Sequence, residues 1–226
     1  MSVVGRTVPR VDAIGKITGK TLYPGDLFRS DMLHMKILFA GRPHARVLDI
    51  DTRKAKEYPG VVAVFTAKDV PVNEYGLDIP DQPVLIGPGS DKPGADVARF
   101  VGDQVAVIVA ETEQAAATAR DLIEIEWEEL PVVTDPRYGM KLDAPQLFAD
   151  TNSNVLAHYR IRRGDVEAAW DQCAAVVEAD YQTPFQEHAY LEPEAGLGYF
   201  DEEGRVTVEV AGQNAHEDRA EIAHAL

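Results

Sequence analysis

Leu33, Met35, Ile37 and Phe39 are apolar while His34 and Lys36 between them are polar, the two-residue period of a strand with one buried face. Residues 51–58 read as a short helix stopped by Pro59-Gly60, and Val61 to Phe65 as a second strand. From Gln104 to Ala110 the chain is almost continuously apolar, which predicts a strand covered on both faces in the middle of a sheet. Thr112 is placed to cap the next helix, where Ala115, Ala119 and Leu122 form a narrow stripe whose small residues allow close approach to a sheet. Ile123, Ile125 and Trp127 then alternate with Glu124, Glu126 and Glu128. A cation site is one reading of that acidic row, but on alternating strand positions a solvated outer face is the simpler one.

Elsewhere the period fails. Residues 1–30 are rich in Gly and basic side chains and predict an extended arm laid on something else. Residues 71–102 carry Pro71, Pro80, Pro83, Pro88 and Pro93 among several glycines, too punctuated for a helix and long for a plain connection. Such a loop is expected to pack on other domains or subunits. Pro131, Pro136, Gly139 and Pro145 mark a change of character, with a domain boundary near residue 150. Beyond it come a short helix (166–173), strand-like runs at 175–181 and 196–200, and Val206, Val208 and Val210 in alternation after the turn residues Glu202-Glu203-Gly204. Strands and helices in both halves predict an α+β protein rather than a doubly wound sheet. A last helix, 215–226, has no Gly, Asn or basic residue to end it, and Ile222, Ala223 and Leu226 have no following element to pack on. The expectation is a chain that stops mid-domain, either a fragment or completed by a partner.

At 226 residues, with 45% hydrophobic and 27% charged side chains, the chain is long enough for one or two folded domains with a real core. Cys173 is its single cysteine, so an internal disulfide or a Cys-x-x-Cys metal pair is ruled out and a reducing, cytoplasmic setting is expected. The net charge of −16 opposes binding to nucleic acid or an anionic membrane. No stretch approaches the ~18 consecutive apolar residues of a membrane span, and residues 1–10 lack the apolar region of an export signal.

The sequence has no phosphate-binding Gly-x-x-x-x-Gly-Lys-Ser/Thr loop, Gly-x-Gly-x-x-Gly turn, His-Glu-x-x-His pair or Gly-x-Ser-x-Gly elbow. Three places could carry chemistry. At Gly212-Gln213-Asn214 a strand runs into a helix, and Asn214 and Glu217 have capping-box spacing. Backbone N–H groups, the positive helix end and the Gln213 amide there suit an anionic or oxo ligand, or the two residues simply start the helix. Gln186-Glu187-His188 with Glu192 and Glu194 groups an imidazole with three carboxylates, for metal ligation, acid–base work or a hydrogen-bonded structural role. Cys173, beside Ala169 and Trp170 on a predicted helix, reads as core rather than nucleophile, and His44 beside Pro43 as a loop-capping residue.

One series of motifs runs collinearly through the chain. It comprises Pro9-Arg10-Val11-Asp12-Ala13-Ile14-Gly15-Lys16-Ile17-Thr18-Gly19-Lys20 with Tyr23 and Asp26, then Pro43-His44-Ala45-Arg46 to Asp51, and Pro59-Gly60 through Thr66-Ala67-Lys68-Asp69 to Pro71. Val101-Gly102 to Glu111, Gly164-Asp165-Val166-Glu167-Ala168-Ala169, His188 to Glu192-Pro193, and Gln213-Asn214 continue it. In this series the chain resembles the N-terminal part of the large, molybdopterin-binding subunit of the xanthine dehydrogenase/aldehyde oxidase family, the molybdenum hydroxylases.

The resemblance implies an α/β hammerhead domain over residues 16–135, after an arm of 1–15. A linker (136–154) and the first, incomplete part of a molybdopterin-binding α+β domain (155–226) would follow. It implies oxidation of an aldehyde, purine or aromatic heterocycle with oxygen from water, a molybdenum–pterin cofactor, and iron–sulfur and flavin (FAD) modules that carry the electrons away. The family glutamine that donates a hydrogen bond near the apical oxo group of molybdenum corresponds to Gln213, a cofactor-facing residue by resemblance. The family's Gly-Gly-x-Phe-Gly loop and its catalytic glutamate lie further along than residue 226, so this stretch alone is expected to be inactive. It also reads Ala40-Gly41-Arg42 where many members have Arg-Ser-Pro. The alternative is a non-catalytic binding or assembly module that keeps the hammerhead fold, self-contained and with its last helix packed by its own chain.

Overall fold

The computed structural model describes residues 4–76, 79–148, 151–191 and 193–226. In chain order its elements are α1 (Ala13–Ile17), β1 (His34–Phe39), β2 (Ala45–Asp51), α2 (Arg53–Lys56), β3 (Val61–Thr66), β4 (Val97–Ala98), β5 (Gln104–Ala110), α3 (Glu113–Arg120), β6 (Glu124–Glu129), α4 (Pro136–Gly139), α5 (Val166–Trp170), β7 (Gly196–Phe200), β8 (Val206–Val210) and α6 (Ala215–Ala225). Every strand pair is antiparallel. One sheet has the order β1-β5-β3, a second β4-β2-β6, and β7-β8 form a hairpin.

Strand β5 organises the core as its apolar run predicts. Ala106, Ile108 and Ala110 turn to one side, where they pack with Val64 of β3, Ala55 of α2, and Ala116 and Ala119 of α3. Val105 turns to the other and joins Ala40, Val47, Ile86 and Ala98 between the two sheets. The alanines of α3 bring its backbone close to the sheet, and Thr112 caps the helix by accepting the Ala115 N–H at 3.1 Å.

One strand is new and two expectations change. Strand β2 escapes the two-residue period because its register shifts between Val47 and Asp49, so Val47 and Ile50, three apart, both reach the core between the sheets. The helix expected over 51–58 shortens to α2, since Asp51 still pairs with Glu124 in the sheet. In β1 the side with Met35 and Phe39 is the open one, these two being 59% and 52% exposed, while Leu38 faces the core. Lys36, on that inner side, instead reaches α3, its Nζ 2.5 Å from Glu113 Oε1. The neighbouring salt bridge lowers the Glu113 carboxyl below its ordinary value.

The acidic row of β6 is an exposed face on which Glu124 and Glu128 are paired with cations. Arg46 holds Glu128 at 2.8 Å and Arg42 holds Glu129 at 3.0 Å, with Lys54 against Glu124. Next to it, Asp51 accepts from the Arg53 side chain and backbone, which pushes its carboxyl well below the ordinary range. A carboxyl lowered in the folded state stabilises above its unfolded value, about 3.9, and loses that contribution as pH falls through the folded one. Asp51→Asn is therefore expected to reduce the difference in urea stability between pH 6 and pH 3, measured by urea titrations at both. An unchanged difference would remove Asp51 from the acid response.

His44 is buried with Nδ1 2.6 Å from the Pro131 carbonyl, so it does fix a loop. The Pro- and Gly-rich stretch after β3 is tied down by Asn73, whose buried carboxamide brackets Leu85 through its N–H at 2.9 Å and its carbonyl at 2.8 Å. The arm is not uniformly extended, since α1 forms at 13–17, with Asp12 bonded to Arg10 and Lys16 at 2.8 Å each.

By internal contacts the chain divides into two units, Met1–Asn154 with Glu194–Leu226, and Val155–Pro193. The second contains α5 and otherwise no helix or strand among its described residues, so the strand expected at 175–181 does not form; no neighbour there offers it a hydrogen-bonded ladder. Every described residue of 155–193 is exposed, including Leu156, Tyr159, Ile161, Trp170, Tyr181 and Phe185. Among the described residues no helix is long and apolar enough to cross a membrane.

Candidate functional site: the turn before the last helix

Strand β8 leaves the hairpin through Ala211 and Gly212 and turns at Gln213 into α6. The forward half of the capping box forms, with Asn214 Oδ1 accepting the Glu217 N–H at 3.5 Å. Glu217 and Asp218 occupy the first turn, where the helix dipole favours carboxylates. The Asp218 carboxylate folds back over Gly212, so a Cβ there would have to push that side chain aside. The helix end is thus already supplied with negative charge from this chain, and an anionic ligand resting on bare backbone N–H groups is disfavoured. What remains available is Gln213 itself, exposed, with a side-chain amide that bonds to no described residue.

The flank of this turn is apolar. Val206, Val208 and Val210 project from one face of β8 and are 40–52% exposed. With Ala215 and Ile222 of α6 and Leu226 after it they line a groove of ≈360 Å³. On the opposite face Tyr199 donates to Glu209 at 2.8 Å, which raises the phenol's pKa, and the Arg29 guanidinium lies 3.7 Å from the centre of the Tyr199 ring.

The other candidates separate. Glu187 Oε1 accepts the N–H of His188 at 2.9 Å and of Ala189 at 3.4 Å, and Ala189 takes a left-handed φ of 54°. That carboxylate is therefore engaged in a local turn, and His188 stacks on Tyr190 with ring centres 5.5 Å apart. Both lie in the second unit, whereas Gln213 and Glu194 lie in the first; Glu192 falls outside the described residues. Among the described residues no group of three His, Cys, Asp or Glu side chains could hold a metal ion. Cys173 is exposed, not core, because its helix ends at Trp170 and has no partner face.

Gln213 fits a molybdenum–pterin group as one hydrogen-bond donor toward an oxo oxygen. Two carboxylates, Glu217 and Asp218, stand in the adjoining first turn of α6, and beside Gln213 the exposed Asn214 keeps an amide nitrogen that bonds to no described residue.

Comparison with known proteins accounts for most of the chain. The family model for the aldehyde oxidase and xanthine dehydrogenase a/b hammerhead domain matches residues 18–131, and that for the molybdopterin cofactor-binding domain matches 147–226. The nicotinate dehydrogenase large molybdopterin subunit of Eubacterium barkeri is 36% identical over 225 residues, 99% of this chain and 51% of that protein. The xanthine dehydrogenase molybdenum-binding subunit of Escherichia coli O157:H7 is 32% identical over 226 residues, 96% of this chain and 29% of that protein. Quinoline 2-oxidoreductase from Pseudomonas putida 86 superposes with a TM-score of 0.82 at 26% identity, over 99% of this chain and 29% of the other. The chain thus spans about half the length of one of these proteins and under a third of the others. A hammerhead domain followed by the start of a molybdopterin-binding domain, in a mixed α+β fold, places this chain in the xanthine dehydrogenase/aldehyde oxidase family of molybdenum hydroxylases, as the N-terminal part of the molybdenum-binding subunit.

Proposed function

We propose that the chain works as the N-terminal portion, or a naturally split subunit, of a cytoplasmic molybdenum hydroxylase that oxidises an aldehyde, a purine or an aromatic heterocycle with oxygen from water. The observation that carries this is the surface it leaves open. A 39-residue unit in which no described residue is buried has no core of its own and is rich in large apolar side chains. Its ordering entropy is offset only when other polypeptide covers it. The valine face of β8 makes the same demand.

In this reading Gln213 is the cofactor-facing residue. The bound molybdenum–pterin group supplies the two-electron acceptor. Gln213 contributes a side-chain N–H, on a turn fixed by the Asn214 cap, and in a closed, water-poor site such a preset donor outweighs the same bond in water. The catalytic base, most of the pterin contacts and the substrate pocket belong to the remainder of the subunit. Iron–sulfur and flavin partners, carrying FAD, take the electrons onward.

Hydrogen exchange with a light-scattering mass tests the reading against a self-contained assembly module. Amides of 155–193 are expected to exchange rapidly in the isolated chain and slowly in the assembled complex. Strong protection in the isolated monomer or homodimer would overturn it.

A further inference from the structure

The loop after β3 reaches far along the sequence to the C-terminal half of α6. Val72 N–H donates to the Ala225 carbonyl at 3.3 Å, one of the carbonyls a helix end leaves without an internal partner. Gly76 N–H donates to Glu221 Oε2 at 3.2 Å. His224 Nε2 lies 3.1 Å from Glu74 Oε1, and Lys92 Nζ lies 3.5 Å from Oε2 of the same carboxylate. That carboxylate, held first by His224 and then by Lys92, is lowered from its ordinary pKa. Positions 221, 224 and 225 share one side of the helix, and Glu221 and Ala225 are half-buried there. On the side toward β8 the groove of ≈360 Å³ stands open, so the hairpin does not hold α6 by close packing.

We propose that residues 72–76 form a clasp that fixes the direction of α6 and, through it, the turn that carries Gln213, making Glu221 and Gly76 positioning residues. The mechanical case is simple. An 11-residue helix is a rod of about 16 Å, and holding it at three points near one end sets where the other end lies. Gly76 is required for the approach: a Cβ there would run into the Ile79 carbonyl and come within 2.9 Å of Asp81 Oδ1, displacing the N–H that Glu221 accepts.

The catalytic consequence rests on the reading of Gln213; the clasp itself does not. Glu221→Ala in the full chain removes the acceptor and is expected to speed exchange of the 212–225 amides about three- to tenfold, the range for one lost hydrogen bond. Glu221→Gln, which keeps an acceptor oxygen at the same reach, should restore slow exchange. In the assembled enzyme Glu221→Ala should lower kcat several-fold with KM unchanged, again rescued by Gln. Faster exchange with unchanged turnover would uphold the clasp and count against Gln213 as cofactor-facing. Should neither Glu221→Ala nor Gly76→Ala alter exchange in 212–225, the clasp is wrong, whatever Gln213 does.

Discussion

Replacing Gln213 by alanine in the assembled enzyme is expected to lower kcat about 10- to 100-fold, the usual effect of deleting a side chain that orients or polarises a metal group from its surroundings. KM should change little, because the amide is assigned to the cofactor and not to the substrate. Folding should be unaffected: Gln213 is exposed, bonds to no described residue, and stands outside both core clusters. The cap that starts α6 belongs to its neighbour Asn214, so the turn should survive the change. Steady-state kinetics at matched molybdenum loading give the answer, and unchanged kcat would remove Gln213 from the site.

The largest expected loss of stability comes from Ile108→Ala, about 2–5 kcal/mol by urea unfolding. Ile108 is fully buried in β5 and packs in one cluster with Val64 and five alanines, with Leu38, Tyr58 and Leu122 against it, so its truncation opens a cavity in the core. Val208→Ala on the open face of β8 should cost the chain alone under about 0.5 kcal/mol, as for ordinary surface substitutions. A loss at Ile108 no larger than at Val208 would contradict the core described here.

What could be read from the sequence follows the periodicity. Strand β5 announced itself by an unbroken apolar run because it is covered on both faces, and α3 by its cap and alanine stripe. Strand β2 was silent because its bulge sets Val47 and Ile50 on one side, three residues apart, a spacing that belongs to a helix and not to a strand. The pattern of β1 identified the strand but not its inner face, since a sheet lined with Met35 and Phe39 on its open side looks the same as one lined with them inside. For Gln213, spacing left a helix start and a ligand donor side by side, and only the resemblance of the whole motif series favoured the donor. The clasp left no trace in any local pattern. Glu74 and His224 lie 150 positions apart, and Gly76 and Glu221 145 apart. Charge or period in a short window cannot reveal such pairs. The loop's Pro and Gly content suggested packing on other domains or subunits; within this chain, part of it reaches α6.

The central claim, that this chain supplies part of a molybdenum site completed by further polypeptide, is tested most directly by metal analysis of the native complex recovered through this chain. The account predicts molybdenum and pterin in fixed stoichiometry with the chain, together with iron–sulfur and flavin components. Recovery of the chain in a complex with none of these groups would contradict it.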